Sequence, residues 1–195
     1  MTRIATIDRK TNETEIHLKL SLDGSGEGKR RSGIGFLDHM LDLFAKHAAV
    51  DLDVSAQGDL HVDDHHTAED IGIALGQAID LALDTRAGIH RYGHFTLPMD
   101  ECLVTVAIDL GGRYAFEYHA PIAAAKIGSF DSELVEHFWQ SFAANAKANL
   151  HVVLHHGKNG HHIAEAVFKA AARAIRMAAE IDPRSPGIPS TKGVL

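Results

Sequence analysis

The spacing of apolar and polar positions changes period along the chain, and each change marks an element. Ile16, Leu18, Leu20 and Leu22 alternate with Glu15, His17, Lys19 and Ser21 across residues 14–22, the period-two pattern of a strand with one buried face. A strand over 3–8 precedes it through a turn at Lys10-Thr11-Asn12, and Glu13 stands where the second strand starts. Over 36–49 the period lengthens, so that Phe36, Met40, Leu43, Phe44 and His47 fall near one side of a helix. A short strand over 50–54 follows, then a turn over 58–64 and a helix over 65–83. Ile71, Ala74, Leu75, Ala78, Ile79 and Ala82 give that helix a broad apolar face. Asp63 or Asp64 is placed to cap its first turn.

The second half runs in the same order. Arg86-Ala87-Gly88 ends the helix, and strands follow over 93–99, 102–110 and 113–119, broken by Pro98 and the Gly111-Gly112 turn. A helix over 132–148, a strand over 149–154, a loop over 155–160 and an alanine-rich helix over 161–181 complete it. Pro183, Pro186 and Pro189 keep residues 183–195 from continuing as helix. The pattern predicts one compact unit over 1–195, built from two similar halves at about 1–88 and 89–182 with a C-terminal tail over 183–195. A duplicated two-layer half of α+β type, its helices packed on sheets, is the economical architecture. Residues 24–35 fit neither period. Their five glycines with Lys29, Arg30 and Arg31 read as a mobile basic loop, at the surface or at a subunit contact, without the spacing of a P-loop.

Composition narrows the function. A formal net charge of −7 argues against general binding to nucleic acid or an anionic membrane. Cys102 is the only cysteine, which excludes an internal disulfide and a cysteine-based zinc cluster. No apolar run approaches the roughly 18 residues of a membrane span, and the N-terminus lacks a secretion-signal core. A cytoplasmic location is therefore expected.

The 15 histidines carry the chemistry. His65-His66-Thr67-Ala68-Glu69 is written a second time as His161-His162-Ile163-Ala164-Glu165, each copy opening a helix. Positions i and i+3 or i+4 are neighbours on a helix, whereas adjacent residues point about 100° apart. One histidine and the glutamate can therefore grip one cation while the other histidine reaches elsewhere. Each cluster has an upstream companion behind an acidic residue, His39 after Asp38 and His137 after Glu136. Imidazole with carboxylate is metal-ligand chemistry. The candidate donors are His39, His65, His66, Glu69, His137, His161, His162 and Glu165. They divide into two sites of three imidazoles and one carboxylate, leaving positions open to substrate as a catalytic centre requires. Donor type alone admits Zn, Fe or Ni as readily as Mn. His47, further along the helix of His39, is a second candidate for the same cavity. His17 falls on a polar strand face, and His61, His90, His94, His119, His151, His155 and His156 lack a repeated partner and read as surface residues.

Leu37-Asp38-His39-Met40, Asp64-His65-His66-Thr67-Ala68-Glu69-Asp70, Arg91-Tyr92-Gly93, His137-Phe138, Gly160-His161-His162-x-x-Glu165 and Ser190-Thr191-Lys192-Gly193 together resemble the imidazoleglycerol-phosphate dehydratase family, over essentially the whole chain. The resemblance implies halves like the second domain of ribosomal protein S5, with helices packed between two mixed sheets. It implies conversion of imidazole glycerol phosphate to imidazole acetol phosphate plus water, the sixth step of histidine biosynthesis. It further implies two Mn2+ ions per active site, held by the eight donors above, and a homo-oligomer of 24 subunits with sites at subunit contacts. By motif position Glu13 is the acid/base candidate and a substrate contact; His39, also a metal donor, and His47, from its place further along the same helix, are the other catalytic candidates. Arg91, Arg113, Lys169, Ser190 and Lys192 match phosphate-binding positions, and Thr191 lies among them as a substrate contact. The chemistry expected of such a site is a ring made imidazolate by metal, which expels the neighbouring hydroxide through a diazafulvene-like intermediate. Two other readings of the donors are a dinuclear metallohydrolase and a metal-storage shell.

Overall fold

The alternation and the helical periods resolve into ten strands and four helices in this computed structural model, which describes residues 3–193 and 195. β1 (Ile4–Lys10) and β2 (Thr14–Ser21) form an antiparallel hairpin with Lys10 opposite Glu15. Along β2, Thr14, Ile16, Leu18 and Leu20 are buried and the residues between them exposed. β3 (Arg30–Arg31) leads through α1 (Gly35–Ala48) to β4 (Asp51–Gly58), which runs parallel to β3 and antiparallel to β2. The first sheet is therefore ordered β1-β2-β4-β3, and α2 (His65–Leu83) follows it.

The second half repeats these directions strand for strand. β5 (Tyr92–Met99) and β6 (Cys102–Asp109) form the hairpin, and β7 (Ala115–His119) is the short parallel partner. After a small hairpin of β8 (Lys126–Ile127) and β9 (Phe130–Asp131) come α3 (Glu133–Asn145), β10 (Asn149–His156) and α4 (Gly160–Ala179). The sheet order is β5-β6-β10-β7, with β10 antiparallel to β6 and parallel to β7.

The helices fill the space between the two mixed sheets. α2 lies on β1 and β2, α4 on β5 and β6, while α1 packs against α4 and α3 against α2. Each short helix thus leaves the long helix of its own half and packs on that of the other. Trp139 of α3 locks the centre, its ring 4.9 Å from Phe168, 5.2 Å from Phe138, 5.3 Å from Phe142 and 6.2 Å from Phe44. Glycine allows α2 and α3 to touch: a Cβ on Gly72 would meet the Phe138 carbonyl oxygen at 2.7 Å, and one on Gly76 the Phe142 oxygen at 2.5 Å. Gly76→Val should lower stability by about 1–3 kcal/mol, the usual cost of overpacking. Urea unfolding followed by Trp139 fluorescence measures it, and an unchanged midpoint would mean the two helices can part without loss.

Three expectations need correction. Residues 24–35 are not a loose loop: Asp51 Oδ1 accepts the N–H groups of Ser25 (2.8 Å) and Glu27 (3.0 Å), and Asp53 Oδ1 that of Lys29 (2.9 Å). These carboxylates at the start of β4 hold the segment as a sheet edge. The helices also end earlier than their apolar periods do, α3 at Asn145 and α4 at Ala179. Lys147 takes a left-handed backbone (φ 50°), and Ile181 bridges to Ile89 instead of extending α4. Finally, both central strands outrun their expected ends, β4 continuing through Gly58 and β10 through His156, so His155 and His156 belong to a strand.

Candidate active site

Both histidine clusters sit on braced helix starts. Asp63 Oδ1 accepts the His65 N–H at 2.8 Å, while Asp64 makes no side-chain cap. Asn159 does the same for α4, accepting the His161 N–H at 2.9 Å. Satisfying these otherwise unpaired N–H groups fixes the turn that carries each histidine and its glutamate at i+4.

Two trios result. His39 of α1 joins His161 and Glu165 of α4, and His137 of α3 joins His65 and Glu69 of α2, with the donor atoms of each trio within 4.8 Å of one another. Each upstream histidine therefore serves the cluster of the opposite half, as the exchanged helix packing requires. In the first trio Glu165 Oε2 lies 3.1 Å from His161 Nε2 and 3.8 Å from His39 Nε2. In the second, His137 Nε2 lies 3.3 Å from Glu69 Oε1, and the rings of His65 and His137 are 4.5 Å apart. His137 Nε2 is buried and has no hydrogen-bond partner among the described residues. An unpartnered buried nitrogen is costly, and a divalent cation between these donors would satisfy it. The donor sets fit such an ion.

His66 and His162 stay outside both trios. Asp59 Oδ2 accepts from His66 Nδ1 at 3.0 Å, with Glu13 Oε2 further off at 3.9 Å, and Glu101 Oε2 accepts from His162 Nδ1 at 2.7 Å. Hydrogen bonding to these carboxylates raises the pKa of both histidines. One chain thus assembles three donors twice and leaves two histidines over, where the sequence divides the eight into fours.

Glu165 is the most buried carboxylate of the set, 8% exposed. Burial works against its charge, but the Lys169 ammonium beside it, with His39 and His161, holds its pKa below the ordinary value. His47 lies on the same side, and its pKa is lowered, first by burial and then by Lys169 and Arg173.

The cationic residues divide into two places. Arg91, Arg113, Ser190, Thr191 and Lys192 line one pocket of about 310 Å³, whereas Lys169 belongs to the Glu165 trio. Arg91 donates to both oxygens of Asp109, at 2.7 and 3.0 Å, and to the Pro189 carbonyl at 3.0 Å. A guanidinium has five N–H donors, so Arg91 is held in place and still presents donors to a ligand. Arg113 and Lys192 make no ion pair among the described residues. The pocket borders Arg91, the residue before β5, whereas His162 lies against Asp100 and Glu101 in the β5–β6 turn at the other end of that strand.

Sequence patterning passed over Asp59, Glu101 and Asp70. Asp70 is buried and accepts from Arg9 (2.9 Å) and from the Thr14 hydroxyl, tying α2 to the hairpin that carries Glu13. Two of them have a signal in the sequence: Asp70 closes the motif that begins at Asp64, and Glu101 precedes its strand as Glu13 precedes β2.

Fold and site together define a duplicated α+β protein with two histidine–carboxylate clusters suited to divalent cations and a separate cationic pocket. A model of the imidazoleglycerol-phosphate dehydratase family matches residues 32–175. The imidazoleglycerol-phosphate dehydratase of Rhodopirellula baltica is 78% identical over 193 residues, spanning 99% of this chain and 96% of that one. That of Geobacillus kaustophilus is 56% identical over 195 residues, the full length of both. The crystal structure of the Staphylococcus aureus dehydratase aligns with a TM-score of 0.84 at 37% identity, covering 92% of this chain and 99% of that one. The Pyrococcus furiosus structure also gives 0.84, at 34% identity, covering 97% and 100%. The chain belongs to the imidazoleglycerol-phosphate dehydratase family and is a hydro-lyase of histidine biosynthesis. No helix among the described residues is long and apolar enough to cross a membrane.

Proposed function

We propose that the enzyme dehydrates D-erythro-imidazole glycerol phosphate to imidazole acetol phosphate plus water with two divalent cations, Mn2+ by family resemblance, at each active site. The observation that carries this is the pair of trios, each a compact set of two imidazoles and one carboxylate, one of them with an orphaned buried nitrogen. Three donors fill about half of an octahedral shell and leave room for a ring nitrogen of the substrate. When bound, the cations act as Lewis acids that favour loss of the ring proton.

The chain's own residues do the rest. The proton to be removed lies on the carbon next to the one bearing both the ring and the departing hydroxyl. Glu13, with no side-chain hydrogen bond among the described residues, is the group we assign to that proton. Loss of water leaves an enol, which relaxes to the ketone. Lys169 and His47, beside the Glu165 trio, are assigned to orienting the substrate and its protons there. Arg91, Arg113, Ser190, Thr191 and Lys192 are assigned to the phosphate.

Within one chain the phosphate residues stand a strand's length from the turn beside His162. β5 has eight residues and separates Arg91 from the turn near His162, roughly 25 Å at about 3.3 Å per residue. That separation, and the exclusion of His66 and His162 from the trios, support a site completed by a neighbouring subunit in the 24-subunit homo-oligomer of the family. We place this assembly in the cytoplasm.

Metal quantification coupled to turnover of imidazole glycerol phosphate tests the reading. The expected result is two ions per active site and a ketone product that keeps its phosphate. Release of inorganic phosphate would favour a metallohydrolase instead, and many ions per chain a storage shell. Arg91→Ala should raise KM about 10- to 100-fold, since hydrogen bonds to charged groups are worth about 1.5–3 kcal/mol. Metal content should stay unchanged, and parallel losses of metal and affinity would argue against a phosphate role.

A further inference from the structure

The matching strand order of the two sheets gives Glu13 a positional partner. Glu13 immediately precedes β2 and Glu101 immediately precedes β6, at the same turn of each hairpin. Each faces the second histidine of the cluster on its own half, Glu13 at 3.9 Å from His66 Nδ1 and Glu101 at 2.7 Å from His162 Nδ1. The surroundings then diverge. In the first half Asp59, the residue after β4, bonds to His66 Nδ1 at 3.0 Å and leaves Glu13 unengaged. In the second half the residue after β10 is Gly157, where a Cβ would meet Cys102 Sγ at 2.6 Å. A side chain there would have to displace Cys102, and it is Glu101 that holds the histidine.

Both oxygens of Glu101 are committed. Oε2 accepts from His162 Nδ1, while Oε1 accepts the N–H groups of Asn159 (2.8 Å) and Lys158 (3.2 Å) and faces the Cys102 thiol at 3.4 Å. An ionised carboxylate only accepts, so the bond places the proton of His162 on Nδ1 and its lone pair on Nε2. Nε2 itself makes no hydrogen bond among the described residues, and the Asp100 carboxylate stands 3.6 Å from it.

We infer that Glu101 is a positioning residue that sets which nitrogen of His162 can bind metal, and that it is not a second acid/base group despite occupying the place of Glu13. This rests on the reading above that His162 is a metal donor.

Glu101→Gln separates orientation from structure. The amide oxygen continues to accept from Lys158 and Asn159, but the amide N–H2 now faces Nδ1, donates to it and drives the ring proton to Nε2. Mn2+ titration of the assembled protein, followed by the electron paramagnetic resonance of the free ion, should show one class of sites weakened. The expected loss is about 10- to 100-fold, the range for removing a partner of a metal-bound histidine, with the other class and the circular dichroism unchanged. His162→Ala should weaken the same class, and the double variant should lose no more than His162→Ala alone. Wild-type Mn2+ binding by Glu101→Gln, additive losses in the double variant, or lost helix content without a site-selective change would each overturn the inference. Wild-type binding by His162→Ala would overturn it as well, and would locate the failure in the donor assignment of His162.

Discussion

Replacing His137 with alanine should strip metal from the cluster on α2 and leave the cluster on α4 loaded, although His137 and α4 belong to the same half of the sequence. The reason is the exchange of short helices: α3 packs on α2, which carries the His137 ring to 4.5 Å from that of His65 and its Nε2 to 3.3 Å from Glu69. Loss of a ligand should cost more than the roughly 10- to 100-fold in affinity that losing a ligand's outer partner costs, and turnover should fall with it. The assignment is decided by pairing variants. His137→Ala with Glu69→Gln should lose little beyond either alone, because both open one site. His137→Ala with Glu165→Gln should empty both sites, with losses that add. The opposite pattern would mean that the donors group in chain order.

Sequence order could not convey that exchange, because periodicity reports which face of a helix is buried and not what buries it. The faces themselves were legible. The stripe from Ile71 to Ala82 gave α2 its observed bounds, and the alternation from Ile16 to Leu20 gave β2 its buried side. Short elements carry no period: β8 and β9, two residues each, left no trace in the pattern. Local charge misled at residues 24–35, where glycines and cations suggested motion while the restraint comes from Asp51 and Asp53 on another element.

The site shows the same division. The i, i+4 spacing of His161 and Glu165 was a true guide to a shared helix face, and it equally places Lys169 against Glu165 one turn on. The spacing of adjacent histidines said only that they diverge. That His66 and His162 leave the trios is settled by Asp59 and Glu101, which come from a loop and a hairpin turn distant in the chain. The pocket of Arg91 and Ser190 likewise forms because the tail returns to β5, where Arg91 donates to Pro189.

Glu13→Gln should cut kcat about 100- to 10,000-fold, the range expected for loss of a general acid/base, with fold and metal content intact. Glu13 sits on a rigid turn: Thr11 Oγ1 accepts the N–H groups of Glu13 (3.1 Å) and Thr14 (3.0 Å). The Thr14 hydroxyl in turn donates to the buried Asp70, which Arg9 also holds. Only the Glu13 carboxylate is left out of this bracing. It is 54% exposed and 3.9 Å from His66 Nδ1, too far for a hydrogen bond. An amide of the same shape therefore disturbs nothing that the turn depends on, and removes only the capacity to take a proton. Near-normal turnover would exclude Glu13 as the base, and a fall in metal content would make it a partner of His66 instead. The same substitution at Glu101 should do the reverse, changing metal affinity first and turnover only through it, so two carboxylates at equivalent turns become distinguishable by which measurement each one moves.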